Sequence, residues 1–302
     1  MSVLSILILL YVGFFNQASR AWIAGGDNAE RRRNDRALTD FIGTELRGAL
    51  LPVETVSNTG HGDLQFLINP PSTQVPAANR NGDVIFWQAP LATEATYGDI
   101  AEVGYFVRWN TTPSGDPAPM LCRFFVNPST TDSTGAIVKN PNYLIYDTNP
   151  KSWLSGSLLD TVAPATKASG YLGLFAENVL GLWVRSYGLD GVELPRENFD
   201  SRTGYTCTFK TTDSSGAKQS WTEKRYLPGK VRISIVQIDS HYAARLGPAA
   251  TYIHQIIASN TVRDAEDFLT ALRGLAVGTP AVAALLPGIR IYANEIQLSN
   301  SR

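Results

Sequence analysis

Hydrophobic residues run almost unbroken from position 3 to position 15, and this run predicts a helix that is apolar on every side. Such a helix has to be buried in lipid or among other helices. A bilayer span takes about 20 residues, and residues 18–24 extend the run, with Arg20 near the membrane interface. We therefore predict that residues 1–24 form a membrane or filament-core helix, and that residues 25–302 form an amphipathic helix and a β-rich head.

A signal peptide is the alternative interpretation of this apolar run. No Lys or Arg precedes the run, and residues 16–24 offer poor small-x-small cleavage sites. The pattern therefore favours an uncleaved anchor.

The pattern becomes amphipathic and helical between residues 30 and 50. Leu38, Ile42 and Leu46 recur at four-residue steps, and charged residues, Glu45 among them, fill the other positions. Pro52 ends this predicted helix.

After Pro52 the apolar period changes to two, which predicts strands. The predicted strands are residues 63–68, 83–88, 100–110, 120–126, 179–187, 204–211, 231–239 and 289–298. Two helices, residues 249–258 and 262–275, precede the last strand, and the second has Thr261 as its predicted N-cap. Residues 127–170 are rich in Asn, Pro, Ser, Thr and Gly, and we expect a long surface excursion there.

These elements predict an α+β fold in which a long N-terminal helix packs on a mostly antiparallel sheet, with a helical insertion before the last strand. In the strand at 179–187, alternation places Leu180, Leu182 and Val184 on one face. Val179 and Trp183 are predicted to lie on the other face.

The composition is that of a folded globular protein, with 44% hydrophobic residues and a formal net charge of −1 over 302 residues. This charge balance does not indicate binding to nucleic acid, and it does not indicate a polybasic segment that would bind anionic lipid. Cys122 and Cys207 match no zinc or redox spacing. They form one disulfide in an oxidising compartment or remain two free thiols, and the sequence leaves both alternatives open.

Catalytic motifs are absent from the sequence. The histidines at 61, 241 and 254 form no H-E-x-x-H spacing, and there is no G-x-S-x-G elbow or P-loop. Asp239, Ser240 and His241 have the residue types of a hydrolase triad, but neighbours on a strand point to opposite faces. We therefore predict no catalytic, cofactor-binding or metal-binding residue and no enzymatic activity.

Loop carboxylates and tryptophans are the remaining candidates for binding. Calcium requires clustered oxygen ligands, and no EF-hand spacing is present, so solvated carboxylates are favoured over a loop calcium site at Asp147, Asp160, Asp190, Glu193 and Asp200. The candidates for a carbohydrate or partner platform are Trp87, Trp109, Trp153, Trp183 and Trp221. Core packing is favoured for Trp87, Trp109 and Trp183, because these three fall in predicted strands.

Seven segments carry a resemblance to a known family. They are residues 3–10, 15–22, 36–41, 83–86, 100–105, 177–184 and 227–234. In this order they resemble the N-terminal helix and the sheet strands of type IV pilin-like proteins. The resemblance is strongest to the J-type minor pseudopilin of type II secretion systems and to the pilin-like cassette proteins of Verrucomicrobia-type bacteria.

The resemblance implies a pilin-like fold and a non-enzymatic structural subunit that assembles into a filament through its N-terminal helix. The implied partners are other minor and major pseudopilins and the inner membrane, without nucleic acid or cofactor. The implied location is the bacterial inner membrane, crossed once with the head in the periplasm, or an assembled pseudopilus. The implied membrane and assembly residues are Leu4, Leu7, Leu10, Phe14 and Phe15.

The start of the sequence departs from the family pattern. The family begins with a short basic leader that ends in Gly, followed by Phe and by Glu at the fifth mature position, and none of these is present. Met1 falls inside the family's hydrophobic helix, so we expect about ten apolar residues before it, which would complete a bilayer span. From the residues alone, the competing function is a membrane-anchored extracytoplasmic β-rich ligand-binding module that uses residues 127–170 and the tryptophans.

Overall fold

The computed structural model describes residues 38–50, 64–91, 97–143, 153–164, 173–212, 216–259 and 261–298. The helices within them are α1 (residues 38–47), α2 (Gly156–Val162), α3 (Ser240–Ala243), α4 (Ala250–Ile257), α5 (Ala265–Ala276) and α6 (Pro280–Ala283). The strands are β1 (Leu67–Ile68), β2 (Ile85–Ala89), β3 (Ala101–Thr111), β4 (Pro117–Val126), β5 (Ser129–Thr131), β6 (Ile137–Lys139), β7 (Leu174–Glu177), β8 (Val179–Tyr187), β9 (Phe199–Asp200), β10 (Tyr205–Thr212), β11 (Lys218–Arg225), β12 (Lys230–Ile238) and β13 (Ile289–Gln297).

The strands form two sheets and two separate ribbons. The first sheet has the order β7-β4-β3-β2-β1-β9, and the second has the order β13-β12-β8. The ribbons are β10–β11 and β5–β6, and the strand pairs of all four units are antiparallel. The predicted α+β class with mostly antiparallel sheet is confirmed. The predicted N-terminal half of the long helix, residues 1–24, lies outside the described residues.

Main-chain hydrogen bonds join the first sheet to the second. Asp83 donates its backbone N–H to the carbonyl of Leu182 at 2.6 Å, and Leu182 donates to the carbonyl of Asn81 at 3.3 Å. Gly82 lies between them in a parallel bridge to Leu182. Its φ is +93°, and an added Cβ would lie 2.1 Å from the Leu182 carbonyl oxygen, so this close approach requires glycine.

Helix α1 lies against both sheets in the largest hydrophobic cluster. Ile42 and Leu46 are fully buried, as the four-residue apolar steps predict. They share the cluster with Trp87 and Tyr105 of the first sheet and with Ile233 of the second. The described half of the predicted amphipathic helix therefore packs on the sheets.

A second cluster covers the other face of the first sheet. Phe86, Phe106 and Phe124 point to this face because side chains alternate along each strand. Trp153 and Leu159 of the α2 region cover them and are 3% and 0% exposed. The expectation that residues 127–170 form a surface excursion is therefore wrong for this part of the chain, because polar turn residues there surround a short apolar helix that belongs to the core.

The third cluster lies between the second sheet and the helices α3 to α6. Trp183 and Val236 of the sheet pack against Ile253 of α4 and Phe268 of α5, and the rings of Trp183 and Phe268 are 5.4 Å apart. The predicted helical insertion before the last strand is confirmed. Its cap differs from the prediction: Asp264, rather than Thr261, caps α5 by accepting the backbone N–H of Asp267 at 2.9 Å.

Most of the remaining strand predictions are confirmed. Pairing of β8 with β12 shifts register between Val236 and Gln237, and Leu180 consequently packs with Trp183 in the third cluster rather than with Leu182. The predicted strand at 63–68 contains only the two residues of β1 in its described part. Strand β11 was not predicted, because its residues show no apolar alternation.

Candidate functional site

The docking surface between α1 and the sheets is the candidate functional site, because it fixes the helix that would connect the head to residues 1–37. Gly43 brings the helix backbone close to β13, where an added Cβ would lie 3.1 Å from the Asn294 amide nitrogen and 3.2 Å from Ile296. Asn294 also donates from Nδ2 to Oδ1 of Asp40 at 3.2 Å. A larger residue at position 43 would therefore require the Asn294 and Ile296 side chains to shift by a few tenths of an ångström.

A buried carboxylate locks α1 onto the first sheet. Glu45 is 5% exposed, and its Oε2 accepts the Tyr105 hydroxyl at 2.5 Å. The Arg123 guanidinium forms an ion pair with Oε1 of Glu45 and donates from Nε to Oε2 at 3.3 Å. Burial and the neighbouring Glu45 carboxylate raise the pKa of Tyr105 well above its usual value, so its hydroxyl remains a donor.

Two aromatic rings lie next to the Arg123 guanidinium, at the edge of the Glu45–Tyr105–Arg123 network, which we call the lock. The guanidinium carbon lies 4.0 Å from the ring centroid of Phe125 and 5.7 Å from that of Phe41. The ring of Phe41 is also 5.2 Å from that of Phe175 on the edge strand β7. Phe41 remains 44% exposed, so the docked helix presents one large apolar side chain outward.

A second polar network lies at the joint between the sheets. Asp83 is 1% exposed. Its carboxylate accepts from Asn69 Nδ2 at 2.7 Å, from the Val184 backbone N–H at 2.8 Å and from Arg196 Nε at 2.7 Å. Burial raises the pKa of Asp83, and the Arg196 guanidinium opposes that rise. Arg196 also donates to the Val262 carbonyl at 3.0 Å, which ties this joint to the helical insertion.

A cavity of about 320 Å³ opens beside this joint, lined by Arg185, Glu193, Leu194, Pro195, Arg196 and Arg263. Arg185 is already held by Glu193 at 2.7 Å and by Asp264 at 3.2 Å. The hydrogen bond from Arg185 is the main cause that lowers the pKa of Glu193. Because Arg185 of β8 pairs with Glu193 and with Asp264, the N-cap of α5, this cluster forms an ionic joint between β8 and α5.

The sequence-predicted residues fall in different places. Leu4, Leu7, Leu10, Phe14 and Phe15 lie outside the described residues. Cys122 and Cys207 are both free and buried, Cys122 in the second cluster and Cys207 next to Gly188 at the base of the β10–β11 ribbon. Their disulfide is therefore not formed, because the two thiols belong to separate sheets. Burial raises the pKa of Cys122 to about 11.

The loop carboxylates have partners other than a metal. Asp160 lies 3.7 Å from the Arg108 guanidinium, and Asp200 pairs with Arg202 at 3.0 Å. Asp190 accepts the backbone N–H groups of Thr208 and Val192. In the described part of the chain, no three His, Cys, Asp or Glu side chains form a group that could hold a metal ion, and Asp147 lies outside it.

The tryptophans do not form a common platform. Trp87 and Trp183 are fully buried and Trp153 is 3% exposed. Trp109 donates its Nε1–H to the Leu180 carbonyl at 2.9 Å, and only Trp221 among the five is largely exposed, at 45%. Core packing is thus confirmed for Trp87 and Trp183, and Trp109 is partly buried against the core.

Asp239, Ser240 and His241 form a helix start instead of a triad. Asp239 caps α3 by accepting the backbone N–H of His241 at 2.9 Å. The prediction that these residues continue a strand is wrong, since Ser240 begins α3. His254 lies on α4 with its ring 4.1 Å from that of Trp109, and burial lowers its pKa.

Sequence reasoning missed the Glu45–Tyr105–Arg123 lock. The available signal was the position of Glu45, three residues after Ile42 and one before Leu46, which places a carboxylate within the apolar stripe of the helix. A carboxylate on that stripe requires a buried partner.

Comparison with known proteins gives no relative. No protein-family model, curated protein or solved structure matches the chain. Among the described helices, none combines the length and the apolar character that crossing a bilayer requires.

Proposed function

We propose that the chain is a non-enzymatic structural subunit of a pilin-like filament, a minor pseudopilin that assembles through its N-terminal helix. The observation that carries the proposal is the docking of α1. An amphipathic helix that follows the apolar run in the sequence is held on antiparallel sheet by a buried carboxylate rather than by apolar contacts alone.

The lock gives the helix a mechanical role. A force applied to the N-terminal helix passes into β3 through Tyr105 and into β4 through Arg123, and these neighbouring strands share ten paired residues. A ligand-binding module on a flexible tether would have no need for such a rigid connection. The docking therefore favours a subunit whose helix and head move as one body.

The apolar run supplies the assembly surface. Leu4, Leu7, Leu10, Phe14 and Phe15 belong to a run with no charged residue before Arg20, and such a run is stable only in lipid or beside similar helices. Gly13 and Ala18 would permit close approach between helices. The subunit would thus wait in the inner membrane with its head in the periplasm and then join a pseudopilus with other minor and major pseudopilins.

The genomic reading frame upstream of Met1 tests this proposal. We expect it to encode a basic leader that ends in Gly, followed by Phe, by Glu at the fifth mature position and by further apolar residues. An in-frame stop codon directly before Met1 would remove the main support for a pilin-like subunit. The anchored ligand-binding module would then be the better account of the apolar run.

A further inference from the structure

The β10–β11 ribbon is separate from both sheets in the described structure. Its two strands pair over eight residues, from Tyr205 opposite Arg225 to Thr212 opposite Lys218. Among the described residues, neither strand pairs with any third strand. Alternation assigns each of its side chains to one of two faces, and the face that carries Tyr205 and Cys207 is buried at that end, where Cys207 is 0% exposed.

One face of the ribbon is aromatic and stabilises the ribbon itself. Phe209 lies opposite Trp221, with their ring centroids 5.5 Å apart. The Trp221 Nε1–H donates to Glu223 at 3.1 Å, and the Arg225 guanidinium pairs with the same carboxylate. Isolated two-stranded ribbons are marginally stable, and these cross-strand contacts compensate for the lack of a supporting sheet.

The opposite face carries only lysines and hydroxyl residues. All eight of its residues are exposed, and none is acidic; they are Thr206, Thr208, Lys210, Thr212, Lys218, Ser220, Thr222 and Lys224. We name these eight residues the lysine–threonine face. Within the described residues none of its three ammonium groups has a carboxylate partner, whereas the nearby Lys230 and Arg232 each have one.

The three charges of this face are widely and unevenly spaced. Lys224 lies opposite Thr206 and Lys218 opposite Thr212. At roughly 3.4 Å per residue, Lys210 is therefore about 14 Å along the ribbon from Lys224 and about 7 Å from Lys218. Threonine and serine hydroxyls fill the intervals between these charges.

We propose that the lysine–threonine face binds a linear acidic polysaccharide that carries carboxylate groups at intervals. Ammonium groups supply charge-assisted hydrogen bonds to separated carboxylates. Hydroxyls can both donate to and accept from the sugar hydroxyls between them. The extended, open face suits a chain lying along it, where a closed pocket would suit a small ligand.

Nucleic acid fits this face less well. A duplex carries one phosphate charge per about 1.7 Å of axis, which is far denser than three lysines over roughly 20 Å. The face lacks arginine, the residue suited to bidentate phosphate contacts, and its aromatic residues are on the other side. The net charge of −1 for the whole chain also opposes association with a dense polyanion.

Binding of a labelled oligogalacturonate to the full chain in neutral detergent tests this proposal by fluorescence anisotropy. We expect saturable binding that weakens with salt, with a log–log slope no steeper than about −3 because three cations release counterions. A neutral dextran oligosaccharide should not bind. Absence of oligogalacturonate binding at low salt would overturn the proposal without bearing on filament assembly, which depends on the N-terminal helix.

Charge-matched variants locate the binding surface. The variant K210Q/K218Q/K224Q should bind at least about tenfold more weakly, since three exposed ion pairs are lost. The control K139Q/R245Q/R273Q removes the same charge from exposed positions of β6, the loop after α3 and α5 and should bind like the unmodified chain. An equal loss in both variants, or tighter lysine-dependent binding of duplex DNA than of oligogalacturonate, would overturn the assignment.

Discussion

At the scale of single residues, Glu45 and its partners hold helix α1 on the first sheet. A carboxylate that is 5% exposed is stable inside the protein only when charged and polar donors surround it. Tyr105 and Arg123 supply those donors from two neighbouring strands. The residue that holds the helix is therefore polar, although the surface it lies in is apolar.

Glu45→Gln should lower the free energy of unfolding by about 2 kcal/mol, less than the roughly 3–5 kcal/mol expected for a fully buried pair, because Arg123 keeps some solvent contact. Chemical denaturation followed by tryptophan fluorescence measures the change. The control Arg47→Gln, at an exposed position of the same helix, should change stability by less than about 0.5 kcal/mol. Equal effects of the two substitutions would show that the lock contributes nothing.

The two cysteines provide a second prediction at this scale. Thiol titration without reductant should find two free thiols per chain after unfolding and slow reaction in the folded protein, because both side chains are buried. With a pKa of about 11, Cys122 is also mostly protonated at neutral pH. Finding no free thiol in the unfolded chain would establish a disulfide and contradict the structure.

The sequence marks Glu45 as a carboxylate on the apolar stripe of the helix but does not identify its partners. Arg123 is 78 positions away, and helical periodicity describes only neighbours along one helix. The bulge that moves Leu180 to the other face of β8 has the same origin, since it depends on the register with β12. The local sequence pattern predicts the face on which a residue lies, but the register between paired strands determines that face.

At the scale of elements, apolar patterning located the strands that carry buried residues. Strands β2, β3, β4, β8, β12 and β13 were all predicted near their observed bounds. Strand β11 has seven exposed residues among its eight, so burial left no pattern to detect. Helix α2 was missed for the opposite reason, because its few apolar residues are surrounded by turn-forming residues that dominate the composition.

Trp153→Ala should therefore lower the free energy of unfolding by about 3–5 kcal/mol, as expected for removing a buried aromatic side chain. Trp153 packs against Phe124, with ring centroids 6.4 Å apart, and donates to Gln65. Val138→Ala, on the exposed strand β6, is the control and should have little effect in the same denaturation experiment. A similarly small effect for Trp153→Ala would restore the surface-excursion interpretation.

The ionic joint between β8 and α5 should make stability depend on pH. Because the pKa of Glu193 is lowered by Arg185, its contribution is fully present above the ordinary carboxyl value of 4.5 and is lost as the pH falls through the lowered value. Glu193→Gln should lower the melting temperature at neutral pH, and the difference from the unmodified chain should shrink in acid. A difference that persists unchanged in acid would exclude this ion pair as its source.

At the scale of the whole molecule, the chain divides into an apolar opening and a head with three buried clusters. Removing residues 1–24 should leave a soluble, folded head, because residues from position 38 onward form these clusters. Size-exclusion chromatography and circular dichroism measure this outcome. An aggregated or unfolded product would mean that the opening residues belong to the globular core.

We propose that the N-terminal helix assembles with similar helices. Cysteine cross-linking in intact membranes measures this assembly. Leu10→Cys labelled with a thiol-cleavable photoreactive cross-linker, which needs no cysteine in the neighbouring helix, should give cross-linked species that contain this chain and disappear on reduction, with low background because both native thiols are buried. Val277→Cys, at a position that is 92% exposed on the helical insertion, is the matched control and should remain monomeric. Cross-links at position 10 would support filament assembly, and a monomer at both positions would contradict it.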